Sequence, residues 1–222
     1  MKKIIVTLLI LIVNKVNAQQ DKVFSITPIS DNTANVNGLA VGIGNTESQH
    51  TVNGLNIDVD PLVLFYLLAP KAIEYPEESR ANVSLNGLHI STGGYIGGGT
   101  VNGINISSYH IVRKNNGVSV TFFNNTTMNT NGLQLALMSN SSDKLNGASL
   151  AIWNEAIKCN GVELGAMNYA EQLKGLQIGV YNSSDISKGI QIGLFNKSNS
   201  RSGIQIGFWN KNAKRSLPIL NF

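Results

Sequence analysis

The chain has 222 residues, a formal net charge of +4 and only 14% charged residues against 42% hydrophobic ones. Lys2, Lys3 and Lys15 lie in the N-terminal segment, so the rest of the chain carries only about +1, a balance that excludes the electrostatic footprint of a nucleic-acid-binding protein. The single cysteine, Cys159, excludes an intramolecular disulfide, and we predict that it is buried as a small apolar residue.

The N-terminus has the layout of a secretory signal peptide. Lys2 and Lys3 precede an apolar run at 4–13, and small residues at Val16 and Ala18 suit a cleavage site. The run is shorter than the ~20 residues that a spanning helix needs. We therefore predict that residues 1–18 are a signal peptide and that residues 19–222 form a single repeat domain. The domain is expected to be exported across the inner membrane and to be secreted or held at the cell surface or outer membrane.

A short repeat dominates the remaining sequence. The segments GLQIGVYN at Gly175, GIQIGLFN at Gly189 and GIQIGFWN at Gly203 start 14 residues apart. Further copies begin at Gly161, Gly147, Gly132, Gly117 and Gly103, and weaker ones at Gly87, Gly54 and Gly38. Each unit reads glycine, apolar, polar, apolar, small, apolar, aromatic or Met, Asn. These are about eleven copies of one structural unit.

The alternation within each unit predicts a short β-strand, and the polar residues after it predict a turn. Because no segment has sustained helical periodicity, the fold class is all-β. We predict a β-solenoid of two-sided coils of about 14 residues, stacked in parallel ~4.8 Å apart. The alternative is an up-and-down outer-membrane β-barrel, in which neighbouring units run antiparallel. The copies at Gly175, Gly189 and Gly203 show no odd–even difference, which favours the solenoid.

The pattern also predicts which side chains fill the core. We expect the second, fourth and sixth positions of each unit to point inward. On the return leg we expect a small and then an apolar residue to point inward as well: Ala156, Ala170, Ser184 and Ser198, then Val36, Val52, Leu85, Val101, Leu145, Cys159 and Leu173. Parallel stacking would align the third-position residues Gln134, Glu163, Gln177, Gln191 and Gln205 so that they hydrogen-bond along the stack.

The seventh position is a candidate binding ladder. It carries Tyr109, Phe123, Met138, Trp153, Met167, Tyr181, Phe195 and Trp209. Strict alternation would turn these side chains outward as a stripe ~30 Å long. The aromatic members Tyr109, Phe123, Trp153, Tyr181, Phe195 and Trp209 would then contact a protein, a glycan or a membrane surface. The alternative, which we favour, is that the chain turns here and the sixth and seventh positions both face inward.

Two segments depart from the repeat. An excursion loop at about 58–82 contains the apolar run 62–68 between prolines and is expected to pack over the solenoid flank, or else to touch a membrane or partner. The tail at about 211–222 is expected to cap the last coil.

The sequence lacks the usual signatures of catalysis. His50, His89 and His110 have no metal-ligand spacing, and Asp58 and Asp60 match only a fragment of a calcium loop. There is no nucleophile elbow, and no pair of acidic residues recurs along the repeat. We predict no enzyme activity, no metal and no cofactor. A solenoid hydrolase or lyase is the third alternative for the function.

The units such as Gly189–Asn196, the Val-Asn-Gly lead-ins and the ending Leu217–Phe222 resemble a family of bacterial surface repeat-containing proteins. The resemblance covers most of the chain after the signal peptide and implies export in a Gram-negative bacterium, without an established activity. The period is also similar to the head β-rolls of trimeric adhesins, whose stalk and anchor are missing. We predict a structural or binding module at the cell surface or outer membrane. The alternative function is a small outer-membrane barrel serving as a pore or anchor.

Overall fold

The computed structural model describes residues 20–30, 32–43, 50–61, 83–93 and 99–222. The predicted signal peptide and the part of the predicted excursion loop from 62 to 82 lie outside these ranges. Within them the chain forms strands and no helix long and apolar enough to cross a membrane. The strands are β1 (Gln20–Thr27), β2 (Thr33–Ile43), β3 (His50–Val59), β4 (Val83–Ser91), β5 (Thr100–Val101), β6 (Ile104–Asn115), β7 (Val118–Thr130), β8 (Leu133–Ala136), β9 (Ser139–Leu145), β10 (Ala148–Leu150), β11 (Trp153–Cys159), β12 (Val162–Leu173), β13 (Leu176–Ser187), β14 (Ile190–Ser198), β15 (Ile204–Lys211) and β16 (Ser216–Asn221).

The strands stack as a β-solenoid of about eleven turns, as predicted. β12, β13, β14 and β15 pair in parallel, and equivalent residues of successive repeats face each other, as Gln177, Gln191 and Gln205 do. The antiparallel up-and-down alternative is therefore wrong, and the pore or anchor function that depended on it loses its structural basis. The chain coils around a narrow core instead of reversing at each turn.

The core is more polar than expected, because the alternation has the opposite phase. The buried positions are the third of each unit, which is mostly polar and carries glutamine in four coils, and the eighth (the ninth in the two coils of 15 residues), which carries asparagine from Asn125 to Asn210. The fourth-position residues Ile178, Ile192 and Ile206 are 38%, 38% and 42% exposed. The prediction that the second, fourth and sixth positions point inward is therefore wrong.

Two ladders of side-chain amides make this polar core stable. In the glutamine ladder, Nε2 of Gln205 donates to Oε1 of Gln191, Gln191 donates in the same way to Gln177, and Gln177 donates to Oε2 of Glu163, each over 2.8 Å. These bonds confirm the predicted third-position ladder from Glu163 to Gln205, whereas Gln134 bonds instead to Thr127 and Ser142. Since every coil supplies a partner for the next, burial leaves few of these polar atoms unpaired.

The asparagine ladder runs along the eighth position. Nδ2 of Asn168 donates to Oδ1 of Asn182 over 2.8 Å, and Asn182 donates in turn to Asn196 over 2.8 Å. Each amide also reaches a main-chain carbonyl of the next coil, as Asn182 does at the oxygen of Ile192 over 2.9 Å. The ladder extends from Asn125 to Asn210. The ladder therefore ties the asparagine at the end of one strand to the strand of the next coil.

The return leg has the predicted inward residues. The small residues are buried, as are the apolar ones of the row that ends in Leu145, Cys159 and Leu173. Together they form an apolar strip beside the ladders. The fifth-position glycines let the strand approach the asparagines, because a Cβ on Gly179 would lie 2.6 Å from Nδ2 of Asn168.

The tail folds back over the last coil. β16 pairs antiparallel with β15 and buries Asn221, whose Nδ2 donates to Oε1 of Gln205 over 3.1 Å. Asn212 in turn donates to Oδ1 of Asn221 over 3.3 Å. The tail, our predicted cap, thus supplies the final partner of the glutamine ladder.

Candidate contact surface

The strand leg of each coil presents an exposed sheet that we call the apolar face. It consists of the second and fourth positions in the coils from Gly103 onward and the sixth position in the coils from Gly117 onward, which form three rows along the stack. The rows run from Ile104 to Ile204, from Ile106 to Ile206 and from Phe122 to Phe208, and all of their side chains are apolar. Most of them are at least a third exposed, and Phe208 is 71% exposed.

The apolar face is large for a protein surface. Eight coils at ~4.8 Å and five residues of strand give a rectangle of roughly 35 Å by 14 Å, or about 500 Å² before the relief of the side chains is counted. The largest apolar patch of a typical monomer covers about 300–600 Å², and large patches mark interaction sites. Sequence reasoning missed this surface because it assigned the same residues to the core.

One border of the apolar face is an aromatic corner, which we define as Met138, Trp153, Met167, Tyr181, Phe195 and Trp209. Trp153, Tyr181, Phe195 and Trp209 are between 39% and 47% exposed. They stand in register, as Phe195 and Trp209 do. For these four aromatic residues the favoured interpretation, that the seventh position faces inward, is wrong, and their side chains extend the apolar face.

Tyr109 and Phe123, the other two candidate residues, are placed differently. Tyr109 is 3% exposed and stacks on Phe123 with ring centroids 5.0 Å apart. The pairing of β6 with β7 shifts register between Ser107 and Tyr109, so that Tyr109 faces Asn124 instead of Phe123. Tyr109 therefore lies in the row of Asn124, Ser139 and Trp153, while its neighbour His110 lies in the core row, and the Tyr109 side chain is buried because neighbours such as Phe123 cover it. Phe123 is half-buried beneath Phe122.

The opposite border carries a basic edge, which we define as Lys114, Lys144, Lys158, Lys174 and Lys188. These lysines lie three residues or one residue before the glycine that opens the next coil. Lys144 and Lys158 face each other in register. With Asn160, Gln172 and Lys174 they line a cavity of about 250 Å³. Sequence reasoning missed this edge; the signal that could have found it is the 14-residue spacing of Lys144 and Lys158 and of Lys174 and Lys188.

A second cavity, of about 470 Å³, lies where the aromatic corner meets the return leg. Trp153, Ile152 and Met138 form its apolar side, while Glu155 and the polar residues Asn124, Ser139, Asn140 and Ser141 form the other. The hydroxyl of Ser139 donates to Oδ1 of Asn124 over 2.8 Å. The cavity thus joins the aromatic corner to a polar wall.

The structure places all three histidines in the core. Nδ2 of Asn56 lies 2.8 Å from Nδ1 of His89, and Nε2 of His89 is 3.7 Å from Oδ1 of Asp58, beyond hydrogen-bond distance. Burial lowers the pKa of His89 to about 4, and burial together with the nearby His89 lowers the pKa of His110 to about 3. Burial raises the pKa of Asp58 to about 6. At neutral pH both imidazoles are therefore uncharged core groups.

Two further titratable groups lie in the core of the C-terminal coils. Cys159 is fully buried, as predicted, and burial raises the pKa of its thiol far above the ordinary value. Glu163 occupies a glutamine position of the ladder, and burial raises the pKa of its carboxyl to about 8. Its Oε1 has no hydrogen-bond partner among the described residues. Among the described residues, no group of three or more His, Cys, Asp or Glu is arranged to hold a metal ion.

Comparisons with known proteins do not assign the chain to a family. No family model, no curated protein and no solved structure matches the chain. The resemblance to bacterial surface repeat-containing proteins therefore stays a prediction from the sequence.

Proposed function

We propose that the protein is an exported structural or binding module without catalytic activity, and that it acts at the cell surface or outer membrane by contact through its apolar face. The observation that carries this proposal is the polarity of the coil. Amides fill much of the core while three rows of apolar side chains face outward. A surface of this kind is stable when a partner covers it.

The size of the apolar face sets the scale of this contact. Covering roughly 500 Å² of apolar surface gains on the order of 12 kcal/mol before the costs of association are subtracted. The aromatic corner adds Trp153 and Trp209, and tryptophan is a residue type that dominates binding energy at interfaces. The N-terminal layout of the sequence supports export, and cell fractionation tests it.

The distribution of ionisable groups supports a role in contact. His50, His89 and His110 are buried, and so are Asp58 and Glu163. The features that recur along the outside of the coils are apolar and aromatic side chains, and those residue types bind partners by burial and stacking instead of by proton transfer.

The contact is tested by changing Trp153, Tyr181 and Trp209 to Ser. These side chains are about half exposed, so the variant should lose association with its partner, measured by sedimentation, while the melting temperature moves by only a few degrees. The matched control changes Ile157 to Ser, because it is exposed on the return leg and association should persist. Loss of the fold in the triple variant would show that the aromatic corner is core, contrary to the proposal.

A further inference from the structure

Resting on the function proposed above, we propose that the partner of the apolar face is a lipid bilayer, and that the basic edge binds the phosphates of its anionic headgroups.

The first support is that the strands of the apolar face are hydrogen-bonded to their neighbours in the C-terminal coils. The main-chain nitrogens of Leu176, Ile190 and Ile204 donate to the glycine carbonyls of the preceding coil over 2.9, 3.0 and 3.0 Å. The rest of these strands is paired in parallel on both sides from β12 to β14. A surface that meets lipid must satisfy its backbone groups internally, since hydrocarbon offers no hydrogen-bond partners. The stacked coils meet this condition.

The second support is the contrast between the two outer surfaces of the coil. The apolar face is free of charge, whereas the return leg exposes Glu155, Glu171, Lys197 and Lys211. A body with one apolar and one charged side lies in the plane of the membrane interface, with its apolar side buried about 5–10 Å deep. The solenoid axis would therefore run along the membrane surface.

The third support comes from the two borders of the apolar face. The aromatic corner places Trp153, Tyr181 and Trp209 between the apolar face and the charged return leg, the depth at which Trp and Tyr collect in membrane proteins. On the other border, Lys144, Lys158 and Lys174 surround the 250 Å³ cavity, which no acidic side chain lines in the described part of the chain. Their long stems can follow the apolar surface while the ammonium groups reach phosphate.

Nearby carboxylates do not neutralise the positive charge of the basic edge. Asp185 accepts hydrogen bonds from the hydroxyl of Tyr169 over 2.8 Å and from Asn199 over 3.0 Å. Asp143 and Glu171 immediately precede Lys144 and Gln172 in the chain and so lie further from the glycine corner. A second copy of the chain would cover the apolar face, but its borders offer aromatic or basic side chains and no anion. An anionic bilayer supplies both hydrocarbon and phosphate in one plane.

The test is flotation of the purified full chain with two kinds of vesicle, phosphatidylcholine alone and phosphatidylcholine mixed with phosphatidylglycerol. The chain should float with the anionic vesicles, and binding should weaken as salt is added. Changing Lys144, Lys158 and Lys174 to Gln should weaken binding on the order of 100-fold, since each lysine near an anionic surface contributes about fivefold. The charge-matched control changes Lys197, Lys211 and Lys214 to Gln, and the first two lie on the return leg, so binding should be retained.

The apolar face is tested separately. Changing Ile178 and Ile192 to Thr should abolish flotation, whereas the same change at Ile157, which is exposed on the return leg, should not. Threonine keeps the strand preference, and circular dichroism verifies the fold of each variant. Inorganic phosphate serves as competitor at the concentration of the lipid phosphate. Displacement by it alone would mean a site for free phosphate and would overturn the proposal.

Two other outcomes would also overturn it. Flotation that ignores both the lysine and the isoleucine substitutions would mean adsorption elsewhere on the chain. Absence of flotation together with a discrete dimer that Ile178→Thr/Ile192→Thr abolishes would make the partner a second copy, leaving the proposed contact function intact. If neither vesicles nor a protein partner bind in an Ile178- and Ile192-dependent way, the proposed function fails with the lipid proposal.

Discussion

Glu163 offers the sharpest test of the polar core. It is the one acidic residue among the third-position residues that bond along the stack at the C-terminal end, and Gln177 donates to its Oε2 over 2.8 Å. We predict that Glu163→Gln stabilises the protein above neutral pH. A glutamine here has the same shape, continues the amide ladder, and could donate to the carbonyl of Tyr169 as Gln177 does to that of Ser183.

The magnitude follows from the pKa of the Glu163 carboxyl, which burial raises from 4.5 to about 8. Between these values the folded protein keeps the proton that the unfolded chain has released. Stability therefore falls as pH rises, by about 1.4 kcal/mol per pH unit. Over the whole window the loss is on the order of 5 kcal/mol at pH 8. In Glu163→Gln this loss should vanish, while stability near pH 4.5 should change little.

The assay is urea denaturation followed by circular dichroism at intervals from pH 4.5 to pH 9. The control is Glu155→Gln, because Glu155 is exposed and its removal should leave the pH profile of the native chain in place. A Glu163→Gln profile that still falls between pH 4.5 and 8 as steeply as that of the native chain would refute the argument. So would a variant that is less stable than the native chain at pH 8.

Three further predictions concern the core. Asn182→Ala removes an amide that donates to Asn196 and to a main-chain carbonyl, and it should lower the free energy of unfolding in urea by about 2–4 kcal/mol. The control Asn146→Ala, in an exposed row, should lower it by less than about 1 kcal/mol. Equal losses would contradict a special role for the buried ladder. Burial lowers the pKa of His110 to about 3, so the unfolded chain takes up a proton at His110 before the folded protein does as pH falls below 6.5. The melting temperature of the native chain should therefore fall with acid, and that of His110→Gln should fall less. Parallel melting profiles for the two proteins would count against this. The buried Cys159 thiol should react with an aromatic disulfide reagent only after denaturation, and reaction at the same rate in native protein would show that the site is open.

The period of the repeat made much of this fold predictable. Three copies with identical spacing and no odd–even difference favoured parallel coils, and the inward placement of Leu145, Cys159 and Leu173 followed from their position before each glycine. The phase of the strand was not predictable from hydrophobicity alone. Apolar residues are expected inside because a buried amide without a hydrogen-bond partner is costly. In this fold Gln177 and Asn182 find partners in the neighbouring coils, so their burial does not carry that cost.

The candidate surface was predictable only in part. The aromatic residues Trp153, Tyr181, Phe195 and Trp209 were recognisable from their recurrence, but their exposure depended on the phase of the strand. Tyr109 differs because it is covered by Phe123 at the register shift where a coil of 14 residues meets one of 15 residues. The basic edge becomes visible only when the coils are stacked and the lysines three residues and one residue before a glycine lie side by side.

The two amide ladders point in opposite directions. From Gln205 to Glu163 each amide donates toward the N-terminal coils, whereas from Asn125 to Asn210 each donates toward the C-terminal coils. Their side-chain dipoles therefore oppose each other where both ladders run side by side. Inserting or deleting a whole coil adds or removes one amide from each row and builds up no net polarity at the ends. Copy number can change in evolution at little electrostatic cost, provided that Asn221 still terminates the final glutamine.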